Sequence, residues 1–258
     1  MNRYYLCIIG GGKIGISFAE GLIYKNILEI NNIIISKKNI NPNFNKFNIT
    51  YDNQYAVKYS KIIILSVLPS QLKEVLNDIK HVIKKDHIII SFVAGIEIDY
   101  IKLYLNNHIN IIRIIPNIAI RKGESIICIV NNNNVNNKII NHLFSKLGFM
   151  LFLDESCIDA ATSLFSSNIA FIAYLMKPVN DLIINKINTN ISVSNLLLIQ
   201  LLKGFISLIK NNKKNIIFDS LINDIASHRG FTVKGIQYME KKNVQKNIIN
   251  AILNSYNK

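Results

Sequence analysis

The sequence predicts an α/β protein: an open parallel-sheet domain over residues 1–154, followed by an all-helical domain over residues 155–258. Three observations carry that reading. Short apolar runs alternate with helical patterns through the first half, the rhythm of β-α-β units. The stretch "LCIIGGGKIG" sets Gly10, Gly12 and Gly15 at the spacing G-x-G-x-x-G, between an apolar run and a helix. Beyond residue 154 helical periodicity continues almost to the C-terminus with no convincing strand.

The strands expected in chain order are 4–10 ("YYLCIIG"), 31–36 ("NNIIIS"), 61–67 ("KIIILSV"), 87–92 ("HIIISF"), 110–115 ("NIIRII") and 125–130 ("SIICIV"). Several are solid isoleucine blocks, as expected of strands buried on both faces. Between them, "IGISFAEGLIYKN" and "SQLKEVLNDIKHVI" place apolar residues three and four apart, so both are helices, the second entered through Pro69 and Ser70. In the second half Pro178 is expected to kink or break its helix, and "NNKKN" (211–215) to form a polar turn.

Composition narrows the function classes. Half of the 258 residues are apolar and 18% are charged, which excludes intrinsic disorder. Cys7, Cys128 and Cys157 are far apart and form no C-x-x-C pair, which points to a reducing, cytoplasmic setting rather than a disulfide frame or zinc site. The five histidines show no metal-ligand spacing. "SNLLLIQLLKGFISLIK" is interrupted by Gln200, Lys203 and Ser207, so no segment is expected to span a membrane. The net charge of +14 is spread along the chain among asparagines, without the concentrated basic face that nucleic-acid binding uses; it favours small anionic ligands instead.

The glycine turn has a mechanical reading. Gly10 permits the tight turn, Gly12 lets the backbone approach a pyrophosphate, and Gly15 lets the helix pack on the strand, while the amides opening that helix, around Lys13 and Ile14, face the phosphates. At the end of the second strand an NAD-preferring protein carries an acidic residue for the ribose hydroxyls. This chain has Ser36, Lys37 and Lys38 there, a hydroxyl and two cations suited to a 2′-phosphate, so NADPH is the favoured cofactor, with NADH possible.

Four further stretches resemble the pyrroline-5-carboxylate reductases. "IIILSVLPSQL" resembles their V-K-P-Q segment, "ISFVAGI" their S-x-x-A-G-I, "RIIPN" their R-x-M-P-N, and "ASHRGFTVKGIQYME" their S-P-G-G-T-T-x-x-G-L-x-x-L-E. With the glycine turn these cover residues 6 to about 240 in order. The resemblance implies a Rossmann domain, then a helical domain that makes an interlocked homodimer, and often a ring of dimers. It implies hydride transfer from NAD(P)H to the C=N carbon of 1-pyrroline-5-carboxylate, giving L-proline. By that resemblance Val67, Leu68 and Pro69 line the path from adenosine to nicotinamide. Val93, Ala94, Gly95, Pro116 and Asn117 lie along the nicotinamide, and Ser227, Gly230 and Thr232 form the substrate loop. The residues agree with the last assignment: "SHRGFT" opens an amphipathic helix, so backbone N–H groups and two hydroxyls converge where a carboxylate would sit, and Thr232 is placed to hydrogen-bond the ring nitrogen as the catalytic side chain.

The chain also departs from that pattern. Leu68 replaces the cation of K-P, Ile118 and Ala119 follow Pro116-Asn117 without hydroxyl or second proline, "FSSNIAF" (165–171) replaces a glycine-rich stretch, and His228-Arg229 stands where Pro-Gly is usual. Arg229 either crowds the substrate loop or pairs with the substrate carboxylate. The alternatives are a non-catalytic dinucleotide-binding oligomer of the same fold, or another NADP-dependent imine or hydroxyacid oxidoreductase.

Overall fold

The computed structural model describes residues 3–38, 46–105, 109–130, 137–211, 217–226 and 230–256. Contacts divide the chain into two compact units, Met1–Ser166 and Ser167–Lys258.

The first unit is built on an eight-stranded sheet: β1 (Tyr4–Ile9), β2 (Ile33–Ser36), β3 (Asn48–Thr50), β4 (Ser60–Leu65), β5 (Ile88–Ser91), β6 (Asn110–Pro116), β7 (Ser125–Val130) and β8 (Gly148–Leu153). Their spatial order is β3-β2-β1-β4-β5-β6-β7-β8. Every pair is parallel except β6 with β7, where Ile114 faces Ile129 in an antiparallel register. The parallel sheet expected from the sequence is present, with this one antiparallel pair added toward its edge. Only residues 117–124 separate the two strands, too few for a parallel crossover, which needs a dozen or more. The short edge strand β3 and the strand β8 are additions to the six expected.

Helices α1 (Lys13–Tyr24), α2 (Asn53–Lys58), α3 (Pro69–Ile79), α4 (Ile98–Tyr104), α5 (Asn137–Phe144) and α6 (Glu155–Thr162) cover the two faces. The period-2 alternation of the strands sorts their side chains between two cores. Leu6, Ile8, Ile62 and Ile64 pack with Phe18, Leu22 and Phe144 on one face. Cys7, Ile9, Ile63 and Leu65 pack with Leu72, Leu76, Ile101 and Ile158 on the other. Burial pushes the thiol of Cys7 up to about 12 and that of Cys128 up to about 11, so both stay protonated.

The second unit is helical: α7 (Asn168–Ile187), α8 (Ile191–Asn211), α9 (Ile217–Ile225), α10 (Phe231–Lys241) and α11 (Val244–Tyr256). Pro178 lies inside α7 without ending it, since the lost N–H is one bond in a twenty-residue ladder. Ser194, wholly buried, ties α8 to α7 by donating to Asn180 Oδ1 at 2.6 Å. The stretch expected as a polar turn at 211–215 lies largely outside the described residues. Much of the apolar surface of α7 and α8 is uncovered, including Ile172, Leu182, Leu196, Leu201 and Ile206. Two helical segments, Glu155–Ile187 and Ile191–Lys210, are long and apolar enough to cross a membrane, by length and composition, with 18-residue windows of mean hydropathy 1.2 and 1.6. That corrects the expectation of no such segment: Gln200, Lys203 and Ser207 are too few to bring the mean down.

Candidate functional site

A cavity of about 990 Å³ opens in the first unit over the C-terminal ends of β2, β1, β4 and β5. Ligands of open α/β sheets bind in this position, outside the carboxyl ends of the strands and where the strand order reverses.

The glycine turn forms its floor. Gly10 has φ +102°, a left-handed conformation that disfavours a side chain, and a Cβ there would collide with the Ser66 carbonyl oxygen. Its N–H donates to Ser36 O at 3.0 Å, fixing the turn on the end of β2. A Cβ at Gly15 would come within 2.6 Å of Gly10 O and 3.0 Å of Ile8 Cγ2, so this position permits α1 to pack on β1. Gly12 differs: a Cβ would meet nothing closer than Ser66 O at 4.0 Å, and the residue lines the cavity. The space a side chain would fill is left open there to a ligand. The first amides of α1, those of Lys13 and Ile14, have no preceding turn to bond and lie beside that space, donors of the kind that phosphate oxygens accept from.

One end of the cavity is the end of β2. Ser36, Lys37 and Lys38 all line it. Ser36 Oγ donates to Asn53 Oδ1 at 2.6 Å, and Asn53 Nδ2 donates to Asp78 Oδ2 at 2.9 Å. Lys38 Nζ pairs with Glu74 Oε1 at 2.7 Å, both groups well exposed. The stem of Lys37 lies over Gly11, where a Cβ would approach its Cδ to 2.8 Å. Asn53, Glu74 and Asp78, with the exposed ring of Tyr51, are lining residues that the sequence reading did not single out. Glu74 and Asp78 are four apart on α3, and Asp52 caps α2 by accepting from Tyr55 N at 2.9 Å, so the sequence held a signal for both.

Val67, Leu68 and Pro69 form the wall between β4 and α3, with the Leu68 N–H donating to Gln71 Oε1 at 3.4 Å. Ala94 and Phe92 close the far end. Of the remaining residues expected here, Val93 is buried behind that wall and Gly95, at φ +70°, donates its N–H to Asp159 Oδ1 at 3.2 Å. Pro116 ends β6. Asn117 is buried, with Nδ2 donating to Phe165 O at 3.1 Å and Oδ1 accepting from Ala119 N at 3.1 Å. Arg113, on β6, is 1% exposed and ion-paired with Asp159 and Glu155.

Gly230 and Thr232 belong to the second unit. Gly230 is the residue before α10, in extended conformation, and Thr232 is exposed in its first turn. Ser227 and Arg229 lie outside the described residues.

The fold and the cavity define a Rossmann-type protein with a helical second unit. Residues 155–258 match the family model for pyrroline-5-carboxylate reductase dimerisation, and residues 5–95 match that for NADP oxidoreductase, coenzyme F420-dependent. Pyrroline-5-carboxylate reductase 2 of Dictyostelium discoideum is 29% identical over 280 residues, spanning 100% of this chain and 92% of that protein. Pyrroline-5-carboxylate reductase 3 of Danio rerio is 27% identical over 95% of this chain and 86% of its own length. The structure of Plasmodium falciparum pyrroline carboxylate reductase with NADP bound superposes with a TM-score of 0.88 at 24% identity, over 99% of this chain and 96% of that one. That of the Streptococcus pyogenes 1-pyrroline-5-carboxylate reductase gives 0.84 at 20% identity, over 98% and 96%. The chain is thus similar to pyrroline-5-carboxylate reductases along its whole length, and its helical unit to their dimerisation domain.

Proposed function

We propose that the protein is an NADPH-dependent pyrroline-5-carboxylate reductase, reducing the C=N bond of 1-pyrroline-5-carboxylate to give L-proline. The observation that carries the reading is the cavity itself: one continuous space joins the open position at Gly12, the cationic end of β2 and the loop after β5, in a chain similar to pyrroline-5-carboxylate reductases along its whole length.

When bound, the cofactor supplies the hydride, so the protein's work is placement. Ser36, Lys37 and Lys38 take the 2′-phosphate, and the backbone from Gly10 through Gly12, Lys13 and Ile14 takes the pyrophosphate, with Gly15 keeping α1 close. Val67, Leu68 and Pro69 hold the middle of the cofactor against the wall. Ala94 meets the nicotinamide end, backed by Val93, Gly95, Pro116 and Asn117. The sheet order sets this direction, since β2 and β5 lie on opposite sides of the glycine turn. Ser227, Arg229, Gly230 and Thr232 hold the substrate carboxylate and ring nitrogen at the start of α10. An imine that binds already protonated is the better electrophile, and needs no strong acid from the protein. The reacting carbons must come within about 3–3.5 Å of each other.

The uncovered apolar faces of α7 and α8 support a homodimer built through the helical unit. A ring of such dimers and a cytoplasmic location complete the proposal, the latter supported by three free cysteines. The test is proline formation from 1-pyrroline-5-carboxylate by the purified protein, with NADPH and NADH in parallel. Proline formed faster with NADPH supports the reading; NADPH binding without proline in folded protein overturns it.

A further inference from the structure

Among the described residues, Arg113 is the one lysine or arginine that is buried. A buried guanidinium needs strong partners. Its Nη2 donates to Asp159 Oδ1 at 2.6 Å and its Nη1 to Glu155 Oε1 at 3.4 Å. The two carboxylates are four residues apart on α6, and so share one helix face.

The same oxygens have a second task. Asp159 Oδ1 also accepts from Gly95 N, and Glu155 Oε1 accepts from Ile98 N at 2.8 Å. Both amides belong to the segment leading from β5 into α4, the segment whose Ala94 closes the cavity. The carboxylates themselves are partly exposed, Glu155 at 30% and Asp159 at 40%, so water competes for them. The inward pull that keeps them on the loop comes from the buried guanidinium behind them. Strand β6, helix α6 and the loop after β5 are thereby joined through two oxygen atoms.

We propose that Arg113 is a positioning residue for hydride transfer: by holding Asp159 and Glu155 on the Gly95 and Ile98 amides, it sets where the Ala94 loop places the nicotinamide ring relative to the imine carbon. The inference rests on the reductase reading and adds a residue to it. A displacement of about 1 Å at a reacting centre is enough to slow a reaction by two orders of magnitude, so a clamp outside the cavity has a large lever.

The test is a single turnover: full-length protein holding NADPH is mixed rapidly with 1-pyrroline-5-carboxylate, and the run is repeated with NADPH deuterated at C4 to mark the hydride-transfer phase. Its amplitude counts correctly folded sites, and its rate constant reports their geometry. A wild type that does not react overturns the reductase reading itself, a failure distinct from that of the Arg113 clamp. Asp159→Ala should lower the rate constant at least tenfold while the amplitude still matches bound NADPH. Asp159→Asn, which keeps an oxygen for Gly95, should recover part of the rate. If Asp159→Ala does not fold, Arg113→Met with Asp159→Leu exchanges the ion pair for apolar side chains and should show the same slowing. A wild-type rate constant in the folded variant, with full or reduced amplitude, overturns the proposal.

Discussion

Ser36 Oγ donates to Asn53 Oδ1 at 2.6 Å, so the hydroxyl at the cationic end of the cavity already has a partner, and Asp78 holds that partner in place. To donate to a 2′-phosphate the hydroxyl must exchange one hydrogen bond for another, and only the difference contributes. The lysines make the larger contribution. Ser36→Ala should change the ratio of NADPH to NADH affinity by about threefold or less, since the exchange of one hydrogen bond for another leaves less than the roughly 0.5–1.5 kcal/mol of a whole net hydrogen bond. Lys37→Ala with Lys38→Ala should lower that ratio by about tenfold, roughly 1.4 kcal/mol. Glu74→Gln, which removes the carboxylate paired with Lys38, should raise it. Cofactor titrations followed by nicotinamide fluorescence give all three ratios.

The glycines of the turn should separate into two kinds. Gly10→Ala forces a side chain into the left-handed region against the Ser66 carbonyl, a strain of about 1–3 kcal/mol that lowers the unfolding midpoint. Gly12→Ala meets open space, so its stability should remain within about 1 kcal/mol of wild type. Its methyl group occupies the seat proposed for the pyrophosphate, so NADPH affinity should fall about tenfold or more. Denaturant melts paired with NADPH titrations of the two variants distinguish folding from binding.

Asn117 uses both ends of its amide inside the protein, on Phe165 O and Ala119 N. Asn117→Ala leaves both backbone groups without that partner, at a cost of about 1–3 kcal/mol for each that stays dry. The expected result is a clear loss in a denaturant melt with NADPH affinity kept within about threefold. A larger loss of affinity at unchanged stability would assign the amide to the cofactor instead.

His87 gives the fold a pH dependence of known sign. It is 3% exposed, and its Nδ1 accepts from the Lys84 N–H at 3.2 Å, so the ring is held neutral. Burial lowers its pKa; Lys84 acts in the same direction and Asp86 opposes it. The unfolded chain therefore binds the proton more readily than the folded one below about pH 6.5, and stability is lost as the pH falls through that region. His87→Asn, with an oxygen near the place of Nδ1, should flatten this part of the stability profile measured from pH 7.5 to 5.

The legible parts of the molecule were those written in local pattern. The isoleucine blocks placed β1, β2, β4, β5, β6 and β7 because strands buried on both faces carry no polar interruptions. Three residues suffice for β3, too few for a period. In β8 a continuous apolar run with half-exposed faces shows no alternation, and a parallel neighbour gives it no hairpin signal. The glycine turn was legible because its backbone needs leave a spacing in the sequence. Arg113 was not, because its partners lie 42 and 46 residues away. Nothing in the neighbouring sequence distinguishes a buried guanidinium from a solvated one, although Glu155 and Asp159 at i and i+4 were visible as one acidic helix face. The link from Ser36 through Asn53 to Asp78 was hidden for the same reason, although helix spacing and the Asp52 cap pointed to the elements that carry it: the three meet only when α2 and α3 pack beside β2.

The measurement closest to the central claim follows the hydride. The protein is given 1-pyrroline-5-carboxylate and NADPH deuterated at both C4 positions, and the proline formed is analysed by mass spectrometry and NMR. One deuterium on the former imine carbon of L-proline is the expected result. Proline without deuterium, or no proline from folded protein that binds NADPH, would contradict the account.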